Sequence, residues 1–484
     1  MRDTSRDIFV RQQVDLKLTS ISHFQVQNGM MLVATNGQNL FNIRLQNSKK
    51  TDLKLHIEMH DRISHLHLDF TGIHALVTTV SGENFYVNMR SCVLKPIRRM
   101  KGMIVSAVAW NFEFNKDSET GFILIGTTKG AIYETNISSS GSINYLKQLN
   151  PNISEKGLPI SALHLHQMSG SDCDYLLLIC VPNRLYCVFG SANLQVNSQQ
   201  RSTPQVVGTV WSSVMVDQSQ EAVLQSLFTT ESKPQYLSMV KDKENEGPPS
   251  AFTVFPLQCE EEMTPKFAWL AADGLSIGTI DSSNEENNTR KSDWCDRLCI
   301  DVNINHRRSE GRLDYPLDIC LTEFHLLLLY TSRIVAISLF DRTLAFEDFF
   351  IVCGIPKIIG MGRDASSHMI WVFAESSIFM YRPNDECREV WRFFMERKEF
   401  AKAKKVANQL QDRRPFQIIL KKEAEKFLME RKFVFLARNF KVFFLSLGEF
   451  GRGDIWAIFE KFVEFYNFWE IDILGQFCDS GPTY

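Results

Sequence analysis

Val105–Trp110 (VSAVAW), Phe122–Gly126 (FILIG) and Ala131–Thr135 (AIYET) are three short apolar or alternating runs separated only by polar turns. The first break is Asn115–Thr120 (NKDSET) and the second Thr127–Gly130 (TTKG). Runs of this length, rich in Ile, Val and aromatic residues and bounded by Gly, Asn, Asp and Ser, are the pattern of strands joined as hairpins. The same triplet recurs in both directions. Downstream it reads Ile160–His166, Tyr175–Val181 and Arg184–Phe189, with Pro182-Asn183 as the tight turn, and then Leu317–Leu321, His325–Tyr330 and Ile334–Phe340. Near-continuous apolar stretches such as Leu326–Tyr330 imply strands buried on both faces.

The spacing of the triplets carries more information than any one strand. Runs start at Ile21, Ile63, Val105, Ile160, Phe267, Leu317 and Ile358. Most of these starts are about 40 to 55 residues apart, the repeat length of propeller blades of three or four strands. The expectation is a mainly β, WD40-like, seven-bladed β-propeller over residues 1–382. The wide gap between Ile160 and Phe267 is expected to hold one extra blade and a long insertion, and Ile8–Leu16 to close the ring by pairing into the last blade. Ser191–Thr203, Lys241–Ser250 (KDKENEGPPS) and Asp281–Asp293 (DSSNEENNTRKSD) read as tolerated surface loops.

At Pro383 the period changes from strand-like to helical, with Val390, Trp391 and Phe394, then Phe400, Ala403, Val406 and Ala407. Met395–Lys398 (MERK) returns as Met429–Lys432, and Phe400, Ala403 and Val406 answer to Val434, Ala437 and Phe440. A repeat of about 34 residues with a small residue at the close-packing position marks a helical-hairpin solenoid of tetratricopeptide or clathrin-repeat type. Residues 383–447 are therefore expected to begin an α-solenoid, with Trp391, Phe394, Phe400 and Ala403 as the structural junction of its first hairpin. Residues 448–484 form a divergent, Phe-rich tail in which Ile455–Phe468 has the pattern of an amphipathic helix. A solenoid that stops after two repeats reads as a truncated or alternative form of a longer protein.

Composition restricts the function classes. The 484 residues carry a net charge of −3, so no overall field attracts nucleic acid. Eleven cysteines, several inside apolar runs as Cys180 and Cys320 are, read as buried free thiols of a reducing compartment. Met1–Val14 lacks the apolar core of a secretion signal, and Phe433–Leu447 is too short to span a bilayer and carries Arg438 and Lys441. The expectation is a cytoplasmic protein with peripheral membrane contact only.

Catalytic and cofactor motifs are missing. Gly126–Gly130 (GTTKG) is a turn and not a phosphate loop, and no HExxH, CxxC or GxSxG occurs. Cys295, Cys299 and His306 lack the spacing of a zinc site. His65/His67 and His164/His166 each put two imidazoles on one strand face, and are read as a polar outer face or satisfied turn-edge histidines rather than as metal ligands. Arg452–Asp454 (RGD) and Asn152-Ile-Ser154 would matter only outside the cytosol. No cofactor, no metal and no catalytic residue is expected. From Asp385 to Lys441 there are 16 Lys and Arg against nine Asp and Glu. Within that stretch Lys402, Lys404, Lys405, Arg413, Arg414, Lys421 and Lys422 are the candidate surface for an acidic lipid or acidic partner, weighed against an ordinary solvated helical face.

Ile123–Glu134 (ILIGTTKGAIYE), Lys266–Gly274 (KFAWLAADG), Leu321–Val335 (LTEFHLLLLYTSRIV) and Glu389–Lys404 (EVWRFFMERKEFAKAK) together resemble the vacuolar protein sorting-associated protein 18, or deep orange, family. The resemblance extends from Phe9 to Ala437. It implies a seven-bladed propeller, a long α-solenoid and a C-terminal RING zinc domain in a core subunit of the HOPS and CORVET complexes. Such complexes tether late endosomal, lysosomal or vacuolar membranes before fusion. The implied partners are other tethering subunits, with SNAREs and small GTPases reached indirectly. The chain departs from that pattern after two solenoid repeats and has no RING ligands, so ubiquitin-ligase activity does not carry over. The rival expectations are another propeller–solenoid coat or scaffold, an inactive fragment, and a propeller enzyme with polar residues converging on the blades' inner edges.

Overall fold

In the computed structural model of the chain the described residues are 7–112, 116–149, 157–168, 174–191, 224, 235–238, 250–256, 265–271, 274–280, 300–301, 315–350, 357–410 and 412–429. They fall into two units, Met1–Asn384 and Asp385–Tyr484. The first is a seven-bladed β-propeller of seven four-stranded antiparallel sheets. Blade 1 is built from Ile21–Gln27, Met30–Thr35, Asn39–Arg44 and Lys49–Asp52. Blades 2 to 7 begin at their innermost strands Ile63–Leu68, Val105–Ala109, Ala162–Gln167, Ala251–Phe255, Asp318–Leu321 and Ile358–Arg363.

The sequence gradient across a blade follows from its two neighbours. A second strand is covered on both faces, so every residue of His74–Thr79 in blade 2 and of His325–Leu329 in blade 6 is buried. An outermost strand meets solvent, as the Lys-rich Lys49–Asp52 does. Because successive side chains alternate between faces, one strand feeds two cores. In Asp174–Val181 of blade 4, Leu176 and Leu178 enter the apolar layer shared with blade 5, while Leu177 and Ile179 enter the layer shared with blade 3. The same division recurs at Leu326–Leu329, whose alternate leucines face blades 5 and 7. The core is therefore a series of inter-blade layers, and each fully buried Leu or Ile in them contributes roughly 1.5–3 kcal/mol.

Ring closure takes the form expected from Ile8–Leu16. Phe9–Val14 pairs antiparallel with Ile378–Pro383, Phe9 opposite Pro383 and Val14 opposite Ile378, and becomes the outermost strand of blade 7. Phe9 is buried and meets Phe346 of blade 6 edge-on at 5.5 Å. Arg11 reaches across to Asp348 at 3.0 Å, and the Tyr381 hydroxyl donates to the same carboxylate at 2.9 Å.

One expectation about the ring is corrected. Among the described residues, the gap between Ile160 and Phe267 holds no extra blade: it holds the rest of blade 4 and the inner strand of blade 5. Phe267 lies in blade 5's second strand, Lys266–Ala271, so the seven run starts already mark seven blades. The loops Ser191–Thr203, Lys241–Ser250 and Asp281–Asp293 lie outside the described residues apart from Ser191 and Ser250.

In the second unit, α1 (Val390–Glu396), α2 (Phe400–Gln409) and α3 (Arg414–Met429) follow in order. Lys398, at φ +63°, turns the chain between α1 and α2. The Asp412 carboxylate accepts the Arg414 amide at 3.0 Å, and Pro415 occupies the first turn of α3, where its missing N–H costs nothing. The second MERK copy beyond Met429, its partners Val434, Ala437 and Phe440, and the tail 448–484 lie outside the described residues.

Candidate functional site

The innermost strands carry more ionisable and polar groups than the sequence reading anticipated. His23, His65, His67, His164, His166, Asp318 and Arg363 all stand on them. The two histidine pairs are therefore not on an outer face, which corrects that expectation. His65 and His67 stack with ring centroids 6.0 Å apart, and His164 and His166 do so at 5.9 Å. His23, Asp318 and Arg363 were not singled out from sequence, because one polar residue in a short strand has no pattern to mark it.

These groups link one blade to the next. His23 hydrogen-bonds the Ser64 backbone of blade 2, and His67 Nε2 donates to the Val105 carbonyl of blade 3 at 3.3 Å. Ser106 Oγ donates to the Ile160 carbonyl at 2.6 Å at the entry to blade 4, and Ser161 Oγ lies 3.2 Å from Ser250 Oγ at the entry to blade 5. Thr253 Oγ1 accepts the Leu321 amide at 3.5 Å, linking blades 5 and 6. Asp318 accepts the Met361 amide at 3.2 Å, and Arg363 donates back to the Leu321 carbonyl at 2.7 Å, linking blades 6 and 7. Gln27 Nε2 donates to the Arg363 carbonyl at 3.0 Å and returns the circuit to blade 1.

Burial sets the charge state of this circuit. It lowers His67 and His164 to about 3 and His166 to about 4, with the neighbouring imidazole adding to the effect at His67 and His164. His23 and His65 are lowered for the same reason, His65 also by His23. Burial raises Asp318 to about 6. Neutral imidazoles with so little affinity for a proton are poor general bases at pH 7. Ser64 Oγ and His65 Nδ1 are 2.9 Å apart, a nucleophile–base distance, but Ser64 is His65's only hydrogen-bond partner among the described residues. A serine nucleophile needs a base that a third group orients. Among the described residues no group of three or more His, Cys, Asp or Glu is placed to hold a metal ion. Cys295, Cys299 and His306 lie outside them.

In the helical unit, Trp391, Phe400 and Ala403 are buried, whereas Phe394 is only half-buried. The Lys402 ammonium of α2 lies 5.8 Å from the Phe394 ring.

The seven basic candidates differ in their surroundings. Lys404 is half-buried and holds Glu423 of α3 at 2.9 Å, tying α2 to α3. Lys402 pairs with Glu399 at 2.7 Å and Lys422 with Glu425 at 3.0 Å, each within its own helix region. Arg413 donates to Asn408 at 3.4 Å, and Arg414 lies 3.9 Å from Asp412. Lys405 and Lys421 are exposed. No helix among the described residues is long and apolar enough to cross a membrane.

A family profile described as the Pep3/Vps18/deep orange beta-propeller domain matches residues 7–382. Among curated proteins, the chain is similar to the vacuolar protein sorting-associated protein 18 homolog of Caenorhabditis elegans, 28% identical over 471 residues that cover 88% of this chain and 43% of the relative. The homolog of the same name from Danio rerio is 24% identical over 460 residues, covering 89% of this chain and 41% of the relative. Vacuolar sorting protein 18 of Arabidopsis thaliana is 23% identical over 346 residues, covering 68% and 30%. The chain spans about two-fifths of the length of the first two relatives.

Proposed function

The chain belongs to the Pep3/Vps18/deep orange β-propeller family, and from that premise we propose that it is a non-enzymatic scaffold subunit for vacuolar protein sorting. The observation that carries this reading is the family match across residues 7–382, the whole span from the closing strand to the end of blade 7. The finer role is that of a subunit of an endosome, lysosome or vacuole tethering complex of HOPS or CORVET type, cytoplasmic and peripheral on the membrane. Its partners are other complex subunits, with SNAREs and small GTPases reached through them.

A scaffold reading agrees with the physical chemistry. A closed ring of blades offers a rigid disc with short strand edges and variable loops. Its central polar groups are engaged in holding blades together. Tethering needs stiffness and several weak contacts acting jointly, because linked sites gain from a high effective concentration. None of this requires a reacting residue.

The test is co-purification of the tagged chain from cells, scored by mass spectrometry. Recovery of tethering subunits in stoichiometric amounts supports the reading. A folded, soluble chain that brings none of them down removes the tethering role for this chain.

A further inference from the structure

One face of blades 1 to 3 is a continuous strip of loops joined by backbone hydrogen bonds. The loop entering blade 2 meets that blade's own turn where the Val80 amide donates to the Arg62 carbonyl at 2.8 Å. That turn meets the loop entering blade 3 where the Gly102 amide donates to the Gly82 carbonyl at 2.9 Å. A Cβ on Gly82 would lie 2.8 Å from Gly102 backbone, and φ is +85°, so only glycine allows so close an approach. The strip continues where the Thr128 amide donates to the Ile104 carbonyl at 3.1 Å. Its supports are buried: the Asp61 carboxylate takes both the Ser81 amide and hydroxyl, and Asn84 Nδ2 donates to the Met100 and Met103 carbonyls.

What this rigid strip presents is unusual for a surface. Met59 is 87% exposed and Val80 59%, two of the six large hydrophobics most exposed among the described residues. Arg62, Arg98, Arg99 and Lys129 are exposed around them, and none has an ion-pair partner among the described residues. Arg98 and Arg99 sit on a short helical turn anchored by the wholly buried Met100. Lys101, by contrast, pairs with Glu83 at 2.7 Å, and the connection entering blade 2 carries the exposed carboxylates Asp52 and Glu58 against the four cations.

We propose that this strip is a docking site for an acidic protein segment bearing apolar side chains, the carboxylates meeting Arg62, Arg98, Arg99 and Lys129 and the apolar groups covering Met59 and Val80. Exposed apolar side chains rimmed by one sign of charge mark interaction surfaces. Arg matches carboxylates with two parallel hydrogen bonds. An extended segment is favoured over a membrane because Glu58 and the Glu83–Lys101 pair interrupt the strip. An anionic bilayer would press like charge against them, whereas a peptide can place its carboxylates selectively.

The site is probed with the full chain and a short fluorescein-labelled peptide of Asp, Glu and Leu, followed by anisotropy at low and high salt. A control peptide carries Ser in place of Leu. Binding is expected at low salt and is expected to fall as salt screens the rim charges. Arg98→Glu with Arg99→Glu is expected to weaken it by about tenfold or more, since both attractions become repulsions. Met59→Ser with Val80→Ser is expected to abolish the preference for the Leu-containing peptide. All these side chains are exposed, so unchanged thermal unfolding certifies each variant. No binding by the unaltered chain, equal binding by the Arg variants, or flotation with anionic vesicles that depends on the same arginines would each overturn the proposal. Loss of tethering subunits from the co-purification leaves this peptide measurement unaffected, so the two readings fail separately.

Discussion

Acidification from pH 7 to pH 5 is expected to weaken the propeller through its buried histidines. His67 and His164 are held at about 3 and His166 at about 4 in the folded ring, against 6.5 when unfolded. Between those values the unfolded chain binds protons that the folded chain refuses, so stability is full above the unfolded value and is lost as pH falls. At pH 5 each of the three costs roughly 2 kcal/mol relative to pH 7, or about 6 kcal/mol together. His23 and His65 are shifted the same way and act in the same direction. Asp318 opposes them: its carboxyl is raised from 3.8 to about 6, so the folded state binds the extra proton and regains about 1.4 kcal/mol by pH 5. Asp69, also raised by burial, works on Asp318's side. Asp61, Asp341 and Asp364 are lowered below 3.8, and the stability they add is lost only below this window. The net expectation is a loss on the order of 4 kcal/mol. Urea unfolding followed by tryptophan fluorescence at pH 7, 6 and 5 measures it, and His67→Gln with His164→Gln should flatten the dependence. A urea midpoint that holds or rises from pH 7 to 5, or a double variant with the parent's slope, would refute the reasoning.

Two truncations probe the remaining architecture. Phe9→Ala empties a buried site against Phe346 and His325 and should cost roughly 3–5 kcal/mol. Limited proteolysis should then find its first new cuts in blade 7, and an unchanged digestion pattern would contradict ring closure by Phe9–Val14. Trp391→Ala, at a buried position of α1, should cost a similar ~3–5 kcal/mol and expose the helical unit to protease. Unaltered thermal stability and protease resistance would show that α1 does not pack as described.

The parts legible in the sequence are those fixed by local pattern. Strands buried on both faces are near-continuously apolar, which is why Leu326–Tyr330 and Tyr175–Val181 stand out. The closing strand is readable because a ring with unpaired ends needs one more strand, and Phe9–Val14 is a short extended run ahead of blade 1. The blade 5 inner strand was missed because Ala251–Phe255 is short, half-exposed along most of its length and preceded by a polar run. Its apolar neighbour Lys266–Ala271 drew the reading instead. The change to a helical period is read at Pro383, whereas α1 begins at Val390, because strand and helix ends leave little local pattern. The polar circuit of the ring could not be read at all. Gln27 and Arg363 meet across 336 positions, and nothing local in either residue signals the other. The pairing of the seven basic residues is not legible either: they are close in sequence, yet Lys404 pairs across to Glu423 of α3 while Lys402 pairs with the nearby Glu399.

The same contrast bears on how the two surfaces of the propeller unit depend on the fold. Closure joins Phe9 to Pro383 and Gln27 to Arg363, so blade 7 exists only once both ends of the unit are in place. Contacts of such long sequence separation cost more chain entropy to close and slow folding. The strip carrying Met59, Val80, Arg98 and Arg99 is built differently, from consecutive hairpins and the loops between them, each hydrogen-bonded to the next within some tens of residues. Opening of blade 7 therefore removes the closing strand without dismantling the strip. Acid acts on both, because His23, His65 and His67 stand on the innermost strands of the blades that carry the strip. A loss of peptide binding at pH 5 with blade 7 still protease-resistant would place the acid-sensitive step in blades 1 to 3, and loss of both together would place it in the ring as a whole.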